Sequence, residues 1–257
     1  KKAVVFEVHQ PFCFIWDIQE HAIMNEKITT IFWDVDNTLL DFEYSMRNSL
    51  KQCFLTVGVT DSDEMIARYA EINDMYWKRL ERGEITKAKL LVGRFQDLLT
   101  EFHLEHIDYI KFKDEFQANL GTIYSYLDDS LTICKALQTK YEQYVVTNGV
   151  AHTQHSKLGL SGFKEVMNGL FISDEIGFNK PDVRFFEYCL AHIGEQDKEK
   201  ILIVGDSLTS DIKGGNSVGI KTCWYNPQGK PLEEGYQVDY EIHDLHDIYK
   251  VLGMFQG

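Results

Sequence analysis

The chain has 257 residues, 44% of them hydrophobic and 26% charged, so it can bury a sizeable core and disorder is not its default state. Its 40 Asp and Glu against 26 Lys and Arg leave a formal charge of -14, a field that repels polyphosphate backbones and argues against DNA or RNA as a polymeric partner. A small phosphorylated metabolite stays compatible with it, given a local cation or metal.

Five cysteines, Cys13, Cys53, Cys134, Cys189 and Cys223, are odd in number and lack C-x-x-C spacing, the usage of reduced thiols in a cytosolic protein. No apolar run approaches the roughly 20 residues of a membrane span. The patch after Lys1 and Lys2 is broken by Glu7, His9, Gln10 and Pro11 before a signal peptide could form. A cytoplasmic location without a membrane partner is expected.

Residues 1–23 read as an N-terminal extension of no assigned role, with apolar patches at 4–8 and 12–16 and a candidate natural start at Met24. Residues 28–33 then form an apolar, β-branched and aromatic run, the signature of a strand covered on both faces of a parallel sheet. The run stops at Asp34, and Asp36, Asn37 and Thr38 follow. Two acids one residue apart at a strand end are unfavourable unless a cation or a reaction needs them. The bland alternative is a solvated loop rich in turn formers.

From 42 to 127 the pattern is helical. Met65, Tyr69, Ile72, Tyr76 and Leu80 recur at spacings of three and four, as do Leu91, Phe95, Leu98 and Phe102, and Phe112, Phe116 and Leu120 suggest a further helix. Gly83 separates the first two and Thr86 is a candidate N-cap. An insertion of this size is expected to be a separate bundle over the strand ends, a lid. A helix-like segment at 131–141 then leads to a strand at 143–146 that ends in Thr147, Asn148 and Gly149. Further strands are expected at 169–172, 201–204, 220–224 and, at the edge, 238–242, with helices around 185–191 and the glycines 214, 215 and 219. Strands alternating with helices imply an α/β fold. The expectation is a Rossmann-like, doubly wound parallel sheet formed by 24–41 and 128–257, carrying an inserted α-helical cap at 42–127.

Parallel strands bring their polar ends to one rim of the sheet, where ligands bind in such folds. Here those ends carry Asp34 and Asp36, Thr147 and Asn148, Lys180 before Pro181, and Asp206 with Asp211. Asp34, Asp206 and Asp211 are hard oxygen ligands suited to Mg²⁺. Thr147, the backbone amide of Asn148 and the ammonium of Lys180 can hold phosphate oxygens. A metal, an anion and donors around one carboxylate point to phosphoryl transfer, which depends on positioning and charge neutralisation.

The constellation resembles the haloacid dehalogenase superfamily, whose four motifs match at 34–38, Thr147, Lys180 and 205–211. The helical insert matches a common cap arrangement of that family. The resemblance implies that Asp34 is a nucleophile forming an aspartyl-phosphate. Asp36 would be general acid and base, its backbone carbonyl helping to hold the metal. Thr147 and Lys180 would bind the phosphoryl group, Asp206 would ligate Mg²⁺ directly, and Asp211 would act on the metal through water or through a hydrogen bond to one of its ligands. Superfamily dehalogenases lack an aspartate at the position of Asp36, which implies a phosphatase or phosphomutase. The wording at 178–182 and 205–215 resembles bacterial 5'-nucleotidases acting on pyrimidine monophosphates. Asn37 departs from the glycine or glutamate of many relatives.

The implied activity is therefore a Mg²⁺-dependent phosphomonoesterase for nucleoside 5'-monophosphates. The rivals are a sugar phosphate or phosphoglycolate phosphatase, a β-phosphoglucomutase-like mutase, and a catalytically silent binding protein. Bland readings stand beside several residues. Lys180 before proline could be a solvated turn, and Asp211 could cap the following helix. The pairs His103 with His106 and His152 with His155 read as surface helix histidines more readily than metal ligands. Arg94, Tyr69, Tyr76, Trp77 and Phe95 read mainly as cap core, with substrate contact the minority reading.

Overall fold

The computed structural model describes residues 28–60 and 62–254; the extension at 1–23, Met24 and Cys13 lie outside the described residues. In chain order, β1 (Thr30–Trp33) is followed by four helices, α1 (Phe42–Thr56), α2 (Asp63–Glu81), α3 (Lys87–Glu101) and α4 (Tyr109–Leu120). Next come α5 (Ser130–Leu137), β2 (Glu142–Thr147), α6 (Ala151–Leu160), β3 (Gly169–Ile172), α7 (Ser173–Ile176) and α8 (Val183–Ala191). The chain continues through β4 (Ile201–Gly205), α9 (Lys213–Val218), β5 (Lys221–Tyr225), β6 (Tyr240–Ile242) and α10 (Ile248–Val251).

All six strands are parallel, in the order β3-β2-β1-β4-β5-β6. This is the doubly wound topology, and its winding reverses between β1 and β4, where a crevice opens beyond the strand ends. The apolar run of β1 is buried because both faces are covered. Ile31 and Trp33 pack with Ile133 and Leu137 of α5 and with Ile248, while Phe32 packs with Phe185 and Phe186 of α8 and with Val218. Trp33 is level with Val145 of β2 and Val204 of β4. Asp34, Thr147 and Asp206 therefore leave the sheet within one residue of a common level.

The four helices after β1 enclose their own apolar cluster, centred on Phe54, Tyr69, Phe95, Phe112 and Phe116. Asp41 caps α1 by accepting from the Tyr44 N–H (2.8 Å), and Thr86 caps α3 through Lys89 (3.2 Å). The buried stripes differ in detail from the periodicity reading: α2 buries Ile66 and Asn73 where Met65 was expected to open the stripe, and α3 buries Leu90 and Leu99. The reason is that α3 packs against both α2 and α4, which makes its buried face wider than one row. His103 and His106 are corrected too, since α3 ends at Glu101 and both lie in the turn beyond it rather than on a helix. The two chain segments that join helices to sheet are tied together, with Asp41 N–H donating to Ser125 O (3.0 Å) and Leu127 N–H to Leu39 O (3.2 Å). Among the described residues, no helix is long and apolar enough to cross a membrane, and Cys53, Cys134, Cys189 and Cys223 are free and buried.

Candidate active site

At the β1–β4 crevice, the ammonium of Lys180 donates to Asp34 Oδ1 (2.6 Å), Asp211 Oδ1 (2.6 Å) and the Val146 carbonyl (2.8 Å). Lys180 reaches that point because its backbone is clamped by Asn148, whose Oδ1 accepts from Lys180 N–H (2.8 Å) and whose Nδ2 donates to Lys180 O (2.9 Å). The Thr38 hydroxyl donates to Asp34 Oδ2 (3.2 Å) and accepts from the Asp206 N–H (3.1 Å), which joins the first strand end to the fourth. Asp211 sits on a π-helical turn at Leu208–Ile212, and Ser207, not Asp211, supplies the side-chain cap there. Its carboxylate instead accepts from Lys180 and from Ser207 N–H (3.2 Å). A Cβ on Gly205 would stand 2.3 Å from Asp211 Oδ2, so only glycine lets that carboxylate lie across the end of β4.

One carboxylate oxygen from each of Asp34, Asp206 and Asp211 can be chosen so that all lie within 4.8 Å of one another, against the single charge of Lys180. The imbalance is visible in their proton affinities. Burial, opposed by Lys180 and reinforced by Asp211, raises Asp34 to about 7, and burial with repulsion from Asp34 and Asp211 raises Asp206 well above its ordinary value. Burial acts against the charge on Lys180, but Asp211 and Asp34 outweigh it and push its value up. Mutually repelling hard oxygens around a crevice are a donor set that fits Mg²⁺, an ion that takes a few carboxylates and completes its shell with water and phosphate oxygens.

Asp36 faces a different neighbourhood. Its carboxylate is bonded by Lys157 Nζ and by Gln154 Nε2 (2.7 Å), which project from one side of α6. Lys157 is fully buried, and Asp36 is its one acidic partner among the described residues. Gln154 can cross only because residue 149 is glycine: a Cβ there would stand 2.0 Å from Gln154 Nε2 and 2.6 Å from its Cγ and Cδ. Thr147 accepts from Gly149 N–H (3.0 Å), which holds the turn between β2 and α6.

Asp34, Asp36, Thr147, Lys180, Asp206 and Asp211 line a cavity of about 470 Å³ roofed by α1 and α2. Its upper wall carries Phe42, Met46, Asn73 and Trp77 with the acids Glu43, Asp74 and Glu81, and Lys180 is the single basic residue lining it among those described. Hydrogen bonds and an ion pair tie roof to floor. Glu81 accepts from Thr209 (2.6 Å), and Lys87 at the start of α3 donates to the Gly149 carbonyl (2.9 Å) and Ser173 Oγ (2.9 Å) beside an ion pair with Asp174.

All seven residues singled out at the strand ends, Asp34, Asp36, Thr147, Asn148, Lys180, Asp206 and Asp211, line this one cavity. Trp77 lines it as well, whereas Tyr69, Tyr76, Arg94 and Phe95 are buried in the helical cluster behind it. His152 and His155 are exposed on α6, and His155 pairs with Glu175 (2.8 Å). Sequence reasoning missed Gln154, Lys157, Lys87 and Glu81, and it placed Thr38 in the first motif without a role. The available signal was faint: buried polar residues on α6, Thr153, Gln154 and Lys157, at positions where an amphipathic helix usually places apolar ones.

The family model described as haloacid dehalogenase-like hydrolase matches residues 28–219. The HAD-hydrolase YfnB of Bacillus subtilis is 34% identical over 229 residues, 89% of this chain and 97% of that protein. Pyrimidine 5'-nucleotidase PynA of Streptococcus pneumoniae is 34% identical over 224 residues (86% and 94%), and pyrimidine 5'-nucleotidase YjjG of Escherichia coli is 30% identical over 222 residues (86% and 96%). A crystal structure of YfnB bound to magnesium, described as revealing interdomain movement, superposes with a TM-score of 0.84, covering 88% of this chain and 99% of that one.

Proposed function

From a chain that belongs to the haloacid dehalogenase-like hydrolases, we propose a Mg²⁺-dependent phosphomonoesterase that hydrolyses nucleoside 5'-monophosphates through an aspartyl-phosphate on Asp34. In this reading 24–41 and 128–257 are the catalytic core, and 42–127 is a cap acting as a lid. The observation that carries it is the cluster of Asp34, Lys180, Asp206 and Asp211 with Asp36 two residues from the nucleophile, all around one roofed cavity.

Mg²⁺, when bound by Asp34, Asp206 and the Asp36 carbonyl, with Asp211 behind them, would neutralise charge on the transferring phosphoryl group. The protein's own groups do the rest. An oxygen of Asp34 attacks phosphorus, and the ester P–O bond breaks as the leaving oxygen takes the proton of Asp36. In the second step water gives a proton back to the Asp36 carboxylate and attacks phosphorus. The Asp34–phosphorus bond then breaks, releasing orthophosphate. Lys180 and Thr147 hold the phosphoryl oxygens, and Lys180 keeps Asp34 oriented. The roof excludes water from the attacking oxygen until the ester has been cleaved.

The cavity wall supports a nucleoside over the rival leaving groups. Phe42, Met46 and Trp77 offer apolar and aromatic surface, while Glu43, Asp74 and Glu81 oppose any second negative group. The carboxylate of phosphoglycolate, or the second phosphate that a mutase intermediate carries, would meet acids and, among the described residues lining the cavity, no cationic side chain besides Lys180. PynA and YjjG, by their names, act on pyrimidine nucleotides. The test is a panel of phosphorylated metabolites assayed for phosphate release with Mg²⁺ and with EDTA, alongside Asp34→Asn. Preference for hexose phosphates over uridine monophosphate, turnover that survives EDTA, or appreciable activity in a folded Asp34→Asn protein would each overturn part of the proposal.

A further inference from the structure

Arg94 on α3 is 2% exposed, and no acid pairs with it among the described residues. Its guanidinium lies over the rings of Phe95 (5.0 Å), Tyr69 (5.7 Å) and Phe116 (5.7 Å), and its Nε is buried without a hydrogen-bond partner. Rings attract a cation, but an arginine enclosed without a counter-charge is a poor choice for holding four helices together. The one side-chain hydrogen bond it makes runs from Nη1 to Asn73 Oδ1 of α2, at 2.5 Å.

That bond sets the orientation of Asn73. A guanidinium has donors and no acceptor, so the Asn73 atom it meets must be the oxygen, and the two ends of the amide cannot exchange. Asn73 is itself 6% exposed and lines the cavity above the acids, beside Trp77. The amide NH₂ is the end left for that cavity, a fixed donor in a wall whose charged groups are otherwise acceptors.

We propose that Asn73, held by Arg94, determines specificity at the leaving-group end of the cavity by donating to a ring carbonyl of the departing nucleoside. The carbonyl common to uracil, thymine and cytosine at position 2 has the chemistry required. Trp77 and Phe42 on the same wall supply flat faces for the ring. This assignment rests on the nucleotidase reading and adds to it the group that reads the base. A buried amide built to pair with a carbonyl discriminates strongly against ligands lacking one, because its donor is then left unsatisfied.

The deciding experiment compares kcat/KM for uridine monophosphate with that for phenyl phosphate, which has no such carbonyl, in the full-length Mg²⁺-loaded protein. Asn73→Asp supplies Arg94 with a counter-charge while removing the donor. Its thermal midpoint is expected to rise while the uridine-to-phenyl ratio falls at least tenfold, a combination that a purely structural asparagine does not produce. Asn73→Leu, independent of any new ion pair, should lower the ratio likewise. Arg94→Leu, which removes the hold but keeps the amide, should lower it less. A ratio kept in both Asn73 variants, or a lower midpoint in Asn73→Asp, overturns the assignment while leaving the nucleotidase reading intact. A wild-type protein with no preference for the nucleotide sinks both.

Discussion

Lys157→Met separates a catalytic tether from a structural ion pair. Lys157 is fully buried and bonded to an Asp36 carboxylate whose side chain is 26% exposed. Methionine fills similar volume and removes an interior charge, and Asp36 can turn toward water, so stability should change by less than about 1 kcal/mol. What Asp36 loses is a hydrogen bond between charged groups, about 1.5–3 kcal/mol. If that hold is fully expressed in the transition state, kcat/KM drops roughly 10- to 150-fold. Because kcat/KM reports only the steps through the first P–O cleavage, the loss should track the proton demand of the leaving group. It should be large for uridine monophosphate, whose alkoxide must be protonated, and only a few-fold for p-nitrophenyl phosphate. Lys157→Arg should recover part of it. Equal losses on both esters, or a urea midpoint that collapses, would show that Lys157 merely supports the fold.

Lys180→Met should behave in the opposite way, because Asp34 and Asp211 are both buried and Val146 O loses its donor: about 3–5 kcal/mol of destabilisation in EDTA, read by urea unfolding and reduced by saturating Mg²⁺. A metal-free protein should also show the sign of the Asp34 shift. Its folded value of about 7 lies above its ordinary 3.8, so its protonated form favours folding; that contribution is complete below about pH 4 and is lost as pH rises toward 7. The fall in thermal midpoint between pH 5 and 7 in EDTA should shrink in Asp34→Asn, and identical slopes would contradict the shift. Asn37 holds φ 65 and its Oδ1 accepts from Phe42 N–H (3.2 Å), so Asn37→Gly should be nearly neutral, whereas Asn37→Val should cost about 1–3 kcal/mol in the same unfolding assay.

The fold class was readable because each strand announces itself: an apolar run such as 28–33 or 201–204 can be buried on both faces only in a parallel sheet between helices. The departure at Asn37 also has a backbone reason, since a left-handed residue favours glycine or asparagine. Other features were hidden by distance along the chain. Gln154 and Lys157 meet a side chain 118 and 121 residues away, and nothing local to α6 says which strand end its polar side will face. Asp211 reads locally as a helix cap, and only the approach of Lys180 from 31 residues upstream shows why its carboxylate turns inward. Arg94 fits a helical core pattern by position while breaking it by charge, and that contradiction resolves only when Asn73 is seen on the neighbouring helix.

The indole N–H of Trp224 donates to the carbonyl of Asp206 at 2.9 Å, and Trp77 stands across the cavity on the opposite wall. Two natural fluorophores thus bracket the chemistry, one touching the backbone of a carboxylate in the cluster and one facing the organic part of an ester. Emission from Trp224 should respond when a divalent ion draws Asp206 toward it, and emission from Trp77 when a ring slides alongside. With Trp16, Trp33 and Trp77 replaced by phenylalanine to isolate the first signal, the order in which ion and ester arrive can be timed by stopped-flow on unlabelled protein.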